Sequence, residues 1–121
     1  MFFLDTSVNN SISALSNYSI NETEIGTWVD GKPIYRRTYS ASNVNISSTT
    51  VIDKNLKSSD ISTLIGIKCC TYIGGEWNEN LHTYLDVEYI SYAKLDGSGV
   101  KLMAANVNIS KYIIIIEYTK N

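Results

Sequence analysis

Residues 25–39 read IGTWVDGKPIYRRTY. Two runs of β-forming residues, IGTWV and PIYRRTY, flank Asp30-Gly31-Lys32. Asp-Gly between such runs is a strong hairpin signal, because the glycine accepts the positive φ that a tight reversal needs. Pro33 has no N–H to give to a ladder, so it belongs at the start of a strand or on an edge. The stretch predicts a β-hairpin and sets the fold class as mainly β.

Outward from the hairpin, further strand signals follow. Residues 43–52, NVNISSTTVI, alternate in part and predict a strand. Residues 53–62 are polar and predict a loop or a single helical turn. Residues 64–73, LIGIKCCTYI, predict a mostly buried strand, closed by a turn at Gly74-Gly75. Residues 82–92 form the longest strand candidate, with Leu85, Val87 and Tyr89 on one face and Asp86 and Glu88 on the other. Asp96-Gly97-Ser98-Gly99 is a turn. Residues 100–109 predict a strand whose apolar phase shifts near Ala104-Ala105, the mark of a bulge or bend. Residues 112–119, YIIIIEYT, close the series. Ile113 and Ile115 face one way, and Ile114 and Ile116 the other. Both faces of that strand need cover. About seven short strands with turns between them predict a small β-sandwich or barrel.

Residues 1–24 differ from the rest. They are rich in Ser and Asn, with Phe3 or Leu4, Val8, Ile12 and Leu15 at steps of three and four. That spacing fits a short helical stripe or an extended arm that orders against a partner, and it marks these residues as an anchor. The expected organisation is an N-terminal arm over 1–17 and a β module over 18–121.

Composition narrows the function. A chain of 121 residues points to one domain, and size scaling buries about two-thirds of its unfolded surface. Charged residues make up only 18%, which leaves fewer charges to keep copies apart and hints at an oligomer. The net charge of −2 and the lack of a basic run argue against nucleic acid as a partner. The longest apolar run, Ile113 to Ile116, is too short to insert across a bilayer, and the first residues lack the positive region of a secretory signal. The only cysteines, Cys69 and Cys70, are adjacent. Neighbours on a strand point to opposite faces and do not bridge easily, so both are expected free, as in a reducing cytoplasm.

The search for chemistry finds little that is specific. His82 is the single histidine, near Glu76, Glu79 and Asp86. No zinc-ligand spacing, nucleophile elbow, phosphate loop or calcium loop accompanies it. Asp86 and Glu88 on one strand face read as a solvated pair rather than as glycosidase carboxylates from separate strands. No catalytic residue, metal or cofactor is expected. Nine tyrosines and two tryptophans are many for this length and suit sugar rings or protein interfaces. Trp77, followed by Asn78, Glu79 and Asn80 in a polar, turn-like stretch, is the best local candidate for a ligand site. The alternative is that Trp77 caps one end of the core.

The stretch from Tyr18 to Tyr39 resembles a segment of bacteriophage and prophage virion proteins of Gram-positive hosts, with a pattern like YS-x-x-E-x-x-IGTW-[IV]-DGKP-[IL]-Y-x-[KR]-T. Here it is carried by Tyr18-Ser19, Glu22 or Glu24, Ile25 through Tyr35, and Arg37-Thr38. The ending Tyr118-Thr119-Lys120 is similar to that family's final strand followed by YTK. The resemblance implies a β module of tail fibres, baseplates or other appendages, homotrimeric and facing the host. Implied partners are copies of itself, other virion proteins and a host-surface glycan or protein. The implied location is the virion, made in the bacterial cytoplasm. Trp28, Asp30, Gly31, Pro33 and Tyr35 would then be a structural motif, with Trp28 and Tyr35 in the core or at a subunit contact. Ile113 and Ile115 are expected as interface residues on separate grounds, because in so small a domain another subunit would cover one side of the two-faced strand. Family modules usually end a longer chain, whereas Met1 stands 17 residues before this motif. A free-standing module would be a small fibre or a capsid decoration or head-fibre protein held by residues 1–17.

Overall fold

A computed structural model describes residues 18–84 and 86–121. The anchor residues Leu4, Val8, Ile12 and Leu15, and Leu85 of the expected long strand, lie outside the described residues. Nine strands are present among those described: β1 Thr23–Thr27, β2 Pro33–Ile46, β3 Thr50–Asp53, β4 Ile61–Ile73, β5 Glu76–Glu79, β6 Leu81–Tyr84, β7 Glu88–Asp96, β8 Gly99–Ala105 and β9 Ile109–Lys120. One 3-10 turn, Ser58–Asp60, falls in the polar 53–62 stretch.

The strands form two antiparallel sheets and no closed barrel. The larger runs β1-β2-β9-β4-β5, and the smaller runs β3-β8-β7-β6. The fold is therefore a small β-sandwich. The isoleucine-rich β9 is the central strand of the larger sheet, between the long strands β2 and β4. Its alternation is clean: Tyr112, Ile114, Ile116 and Tyr118 are buried, while Lys111, Ile113, Ile115 and Glu117 look outward. β-branched side chains suit this strand, because their restricted χ1 packs well on a pleated surface. The core is completed by Tyr39, Cys69, Val100, Leu102 and Ile109.

Polar bonds tie the layers together. Thr71 on β4 and Ser91 on β7 are both buried, and their hydroxyls lie 2.7 Å apart across the sandwich. The Tyr39 hydroxyl donates to Asp53 Oδ2 at 2.7 Å, linking β2 to β3. Buried hydroxyls in such pairs escape the penalty of an unmade bond.

The hairpin forms as expected. In its turn, the Gly31 N–H donates to the Trp28 carbonyl at 2.9 Å, and Gly31 takes φ 89°. Asp30 Oδ1 accepts from the Lys32 N–H at 3.0 Å. Pro33 opens β2 opposite Thr27. Tyr35 packs against the core, whereas Trp28 sits half-buried in the turn rather than in the strand.

Three expected strands are corrected. The single strand over 82–92 is two: β6 folds back on β7, with Thr83 opposite Tyr89 and Tyr84 opposite Glu88. A tight reversal preserves the period-2 pattern while reversing the chain, so alternation cannot reveal it. Asp86 therefore lies in the bend, not on one strand face with Glu88. The strand over 43–52 breaks at residues 47–49, and its halves join different sheets. There the Thr50 hydroxyl donates to the Ser48 carbonyl and the Thr49 hydroxyl accepts from the Ala104 N–H, side-chain bonds that compete with a continuous ladder. The phase shift near Ala104-Ala105 is a change of sheet: β8 ends, Asn106 adopts φ 55°, and Ile109 starts β9.

Candidate binding surfaces

Strand alternation around β9 builds an outward face on the larger sheet. Ile113 lies opposite Cys70 and Ile115 opposite Lys68 on β4. On the next strand pair, Tyr72 lies opposite Trp77, and Cys70 opposite Glu79. The Tyr72 and Trp77 rings meet edge to face, with centroids 5.3 Å apart. Lys111 Nζ stands 4.6 Å above the Tyr72 ring on its other flank. The result is an apolar strip of Trp77, Tyr72, Cys70, Ile113 and Ile115, edged by charges. Trp77 is 52% exposed and Ile113 36%. The expected ligand residue and the expected interface residues thus share one face, and Trp77 does not cap the core.

Of the expected ligand quartet, Trp77, Asn78 and Glu79 line one open pocket of about 390 Å³ together with Cys70 and Ile113, and Asn80 does not line it. Alternation along β5 sends Trp77 and Glu79 to the outer face and turns Asn78 to the opposite one. Asn80 occupies the link to β6 at φ 48°, its N–H bonded to the Cys69 carbonyl at 2.9 Å.

The segments that carry the family resemblance meet in space. The Tyr118 hydroxyl donates to Glu22 Oε2 at 2.5 Å, and Lys120 Nζ donates to Glu22 Oε1 at 2.7 Å. Arg37 Nε donates to the Tyr118 hydroxyl at 3.2 Å. Lys120 Nζ also lies 4.4 Å over the Tyr35 ring. Glu22, not Glu24, is the carboxylate at the centre. Burial acts to raise its pKa, but the bonds from Lys120 and Tyr118 and the charges of Lys120 and Arg37 outweigh it and lower the value. Burial and the bond to Glu22 push the Tyr118 phenol up to about 12. Nearby, the Thr38 N–H donates to the Ser19 carbonyl at 2.8 Å, and Arg36 stacks over Tyr18 at 4.6 Å. This cluster holds residues 18–22 onto the sheet and is structural in character.

His82 faces Glu88 at 3.4 Å and stacks on Tyr92 with centroids 5.6 Å apart. Among the described residues, no group of three or more His, Cys, Asp or Glu could hold a metal ion. None of the described helices is long and apolar enough to cross a membrane. Cys69 is buried and Cys70 half-buried, both free.

An open cleft of about 840 Å³ lies at one end of the sandwich, lined by residues of both sheets. Tyr89, Asn106 and Asn108 contribute to it. Sequence reading missed these residues because several separate chain segments supply the lining. No family model, curated protein or solved structure matches the chain.

Proposed function

We propose that the chain is a structural β module of a phage virion appendage, of the tail-fibre or baseplate kind, that assembles with copies of itself and contacts the host surface. The outward strip on β9 and its neighbours carries the assembly part of this reading. Ile113, Ile115, Cys70, Tyr72 and Trp77 present a contiguous apolar surface with aromatic anchors, the make-up of an interface core. Lys68, Lys111 and the Arg36–Glu117 pair, 2.7 Å apart, supply a charged rim. The resemblance of the hairpin and of the final strand supports the virion context and a threefold arrangement.

The mass in solution tests the assembly. A trimer of the 13.5 kDa chain is expected, and Ile113→Lys is expected to give a folded monomer. A wild-type chain that stays monomeric at micromolar concentration removes the support for self-assembly. Labelling the protein on intact particles tests the virion role. Signal at the tail tip supports an appendage, signal over the capsid points to a decoration protein, and no signal on particles overturns both.

A further inference from the structure

The cleft at the end of the sandwich, about 840 Å³, adjoins the outward strip at Asn78, which also lines the pocket beside Trp77, Cys70 and Ile113. Ile73, Leu81 and Val107 give it an apolar floor continuous with the core. Its walls carry hydroxyl and amide groups: Ser47, Thr83, Asn78, Asn106 and Asn108. Tyr89 stands at its edge, 40% exposed. Its volume falls within the range of small-molecule sites, about 300–1,000 Å³.

We infer that this cleft binds an uncharged saccharide. Charge selects the class. Among the described residues, Glu76 is the single charged side chain in the lining, and no lysine or arginine joins it. An anionic polymer would meet a carboxylate with no cation to offset it. Hydroxyls need groups that both donate and accept, which amides and hydroxyls provide. A sugar ring also has an apolar face, which an exposed tyrosine ring matches. Among the described residues, the Glu76, Tyr89 and Asn108 side chains have no hydrogen-bond partner, so their bonding capacity is available to a ligand. The site is also held in shape. Asn106, at φ 55°, donates from Nδ2 to the Glu88 carbonyl at 2.8 Å. That bond fixes the β8–β9 link to the start of β7, next to Tyr89. A wall fixed before binding reduces the ordering cost that weakens loop-built sites.

The inference gives the host contact proposed above a place and a ligand class, and it does not depend on the outward strip. Titration of the full chain with neutral oligosaccharides of glucose, galactose, rhamnose and N-acetylglucosamine tests it, with polyglycerol phosphate as the anionic comparison. Saturation-transfer NMR or calorimetry gives the readout. At least one neutral sugar is expected to bind, with Tyr89→Ala weakening it roughly tenfold through loss of the ring face. Asn108→Ala is expected to weaken it too, and Trp77→Ala to leave it unchanged. No binding of any neutral sugar, preference for polyglycerol phosphate, or affinity unchanged in both cleft variants overturns the site. Mass in solution and particle labelling report separately on assembly and virion role, so a failed sugar titration leaves those readings to their own tests.

Discussion

Gly99 shows how one residue can be fixed by its neighbours. It opens β8 at φ 130°, a conformation that L side chains rarely adopt. A Cβ placed there would collide with the Asp53 carbonyl oxygen and stand 2.8 Å from Lys54 Cα. Both obstacles are backbone and cannot swing aside. Gly99→Ala is expected to cost about 2 kcal/mol or more and to lower the melting temperature by roughly 6–12 °C in a thermal scan. Glu22 is fixed by charge instead. Its folded pKa lies below its ordinary 4.5, so it holds a proton less readily in the fold than in the unfolded chain. The stability it contributes is present above 4.5 and is lost as pH falls through the lower folded value. Thermal scans from pH 6 to pH 3 are expected to show this fall, with a shallower slope in Glu22→Gln. An equal slope in both proteins would mean that the carboxylate adds nothing. Much of this was hidden in the sequence. The glycine was readable as part of a turn, but not its approach to a distant carbonyl. Glu22 was one of two alternatives until Tyr118 and Lys120 were seen to meet it.

At the scale of elements, β4 and β9 show what alternation decides. Cys69 and Cys70 are neighbours in the chain and strangers in space. Cys69 is fully buried, and burial pushes its thiol up to about 12. Cys70 lies on the outward face opposite Ile113. Alkylation with iodoacetamide at pH 8 is therefore expected to modify Cys70 alone in the native chain, and both thiols only after unfolding. If the outward strip is an interface, Cys70 becomes slow to react as concentration rises and the copies assemble. Equal labelling of both thiols in the native protein would contradict the assigned strand phase. This opposition was legible early, because a period of two needs only the knowledge that the segment is a strand. Where strands begin and end was less legible. Pairing partners, not local residues, decided that 82–92 turns back on itself and that 43–52 divides between sheets.

For the whole molecule, the central question is which surfaces remain open once the sandwich closes. The smaller sheet packs on the inner side of β9 and covers Ile114 and Ile116, whereas Ile113 on the outer side stays 36% exposed. The expected solution trimer, and its loss in Ile113→Lys, belong to this scale. So does the end cleft, which exists only because links from both sheets come together there. The sequence alone determined the hairpin, through the need for positive φ at Gly31. It also determined the all-β class, the free cysteines and the two-faced character of the last strand, since each follows from local stereochemistry or from a period of two. Tertiary structure decided the rest. It placed Trp77 beside Ile113. It joined Glu22 to Tyr118 and Lys120, and it gathered Tyr89 with Asn106 and Asn108. These are relations between residues far apart in the chain, and only strand pairing and the closure of one sheet on the other bring such residues together.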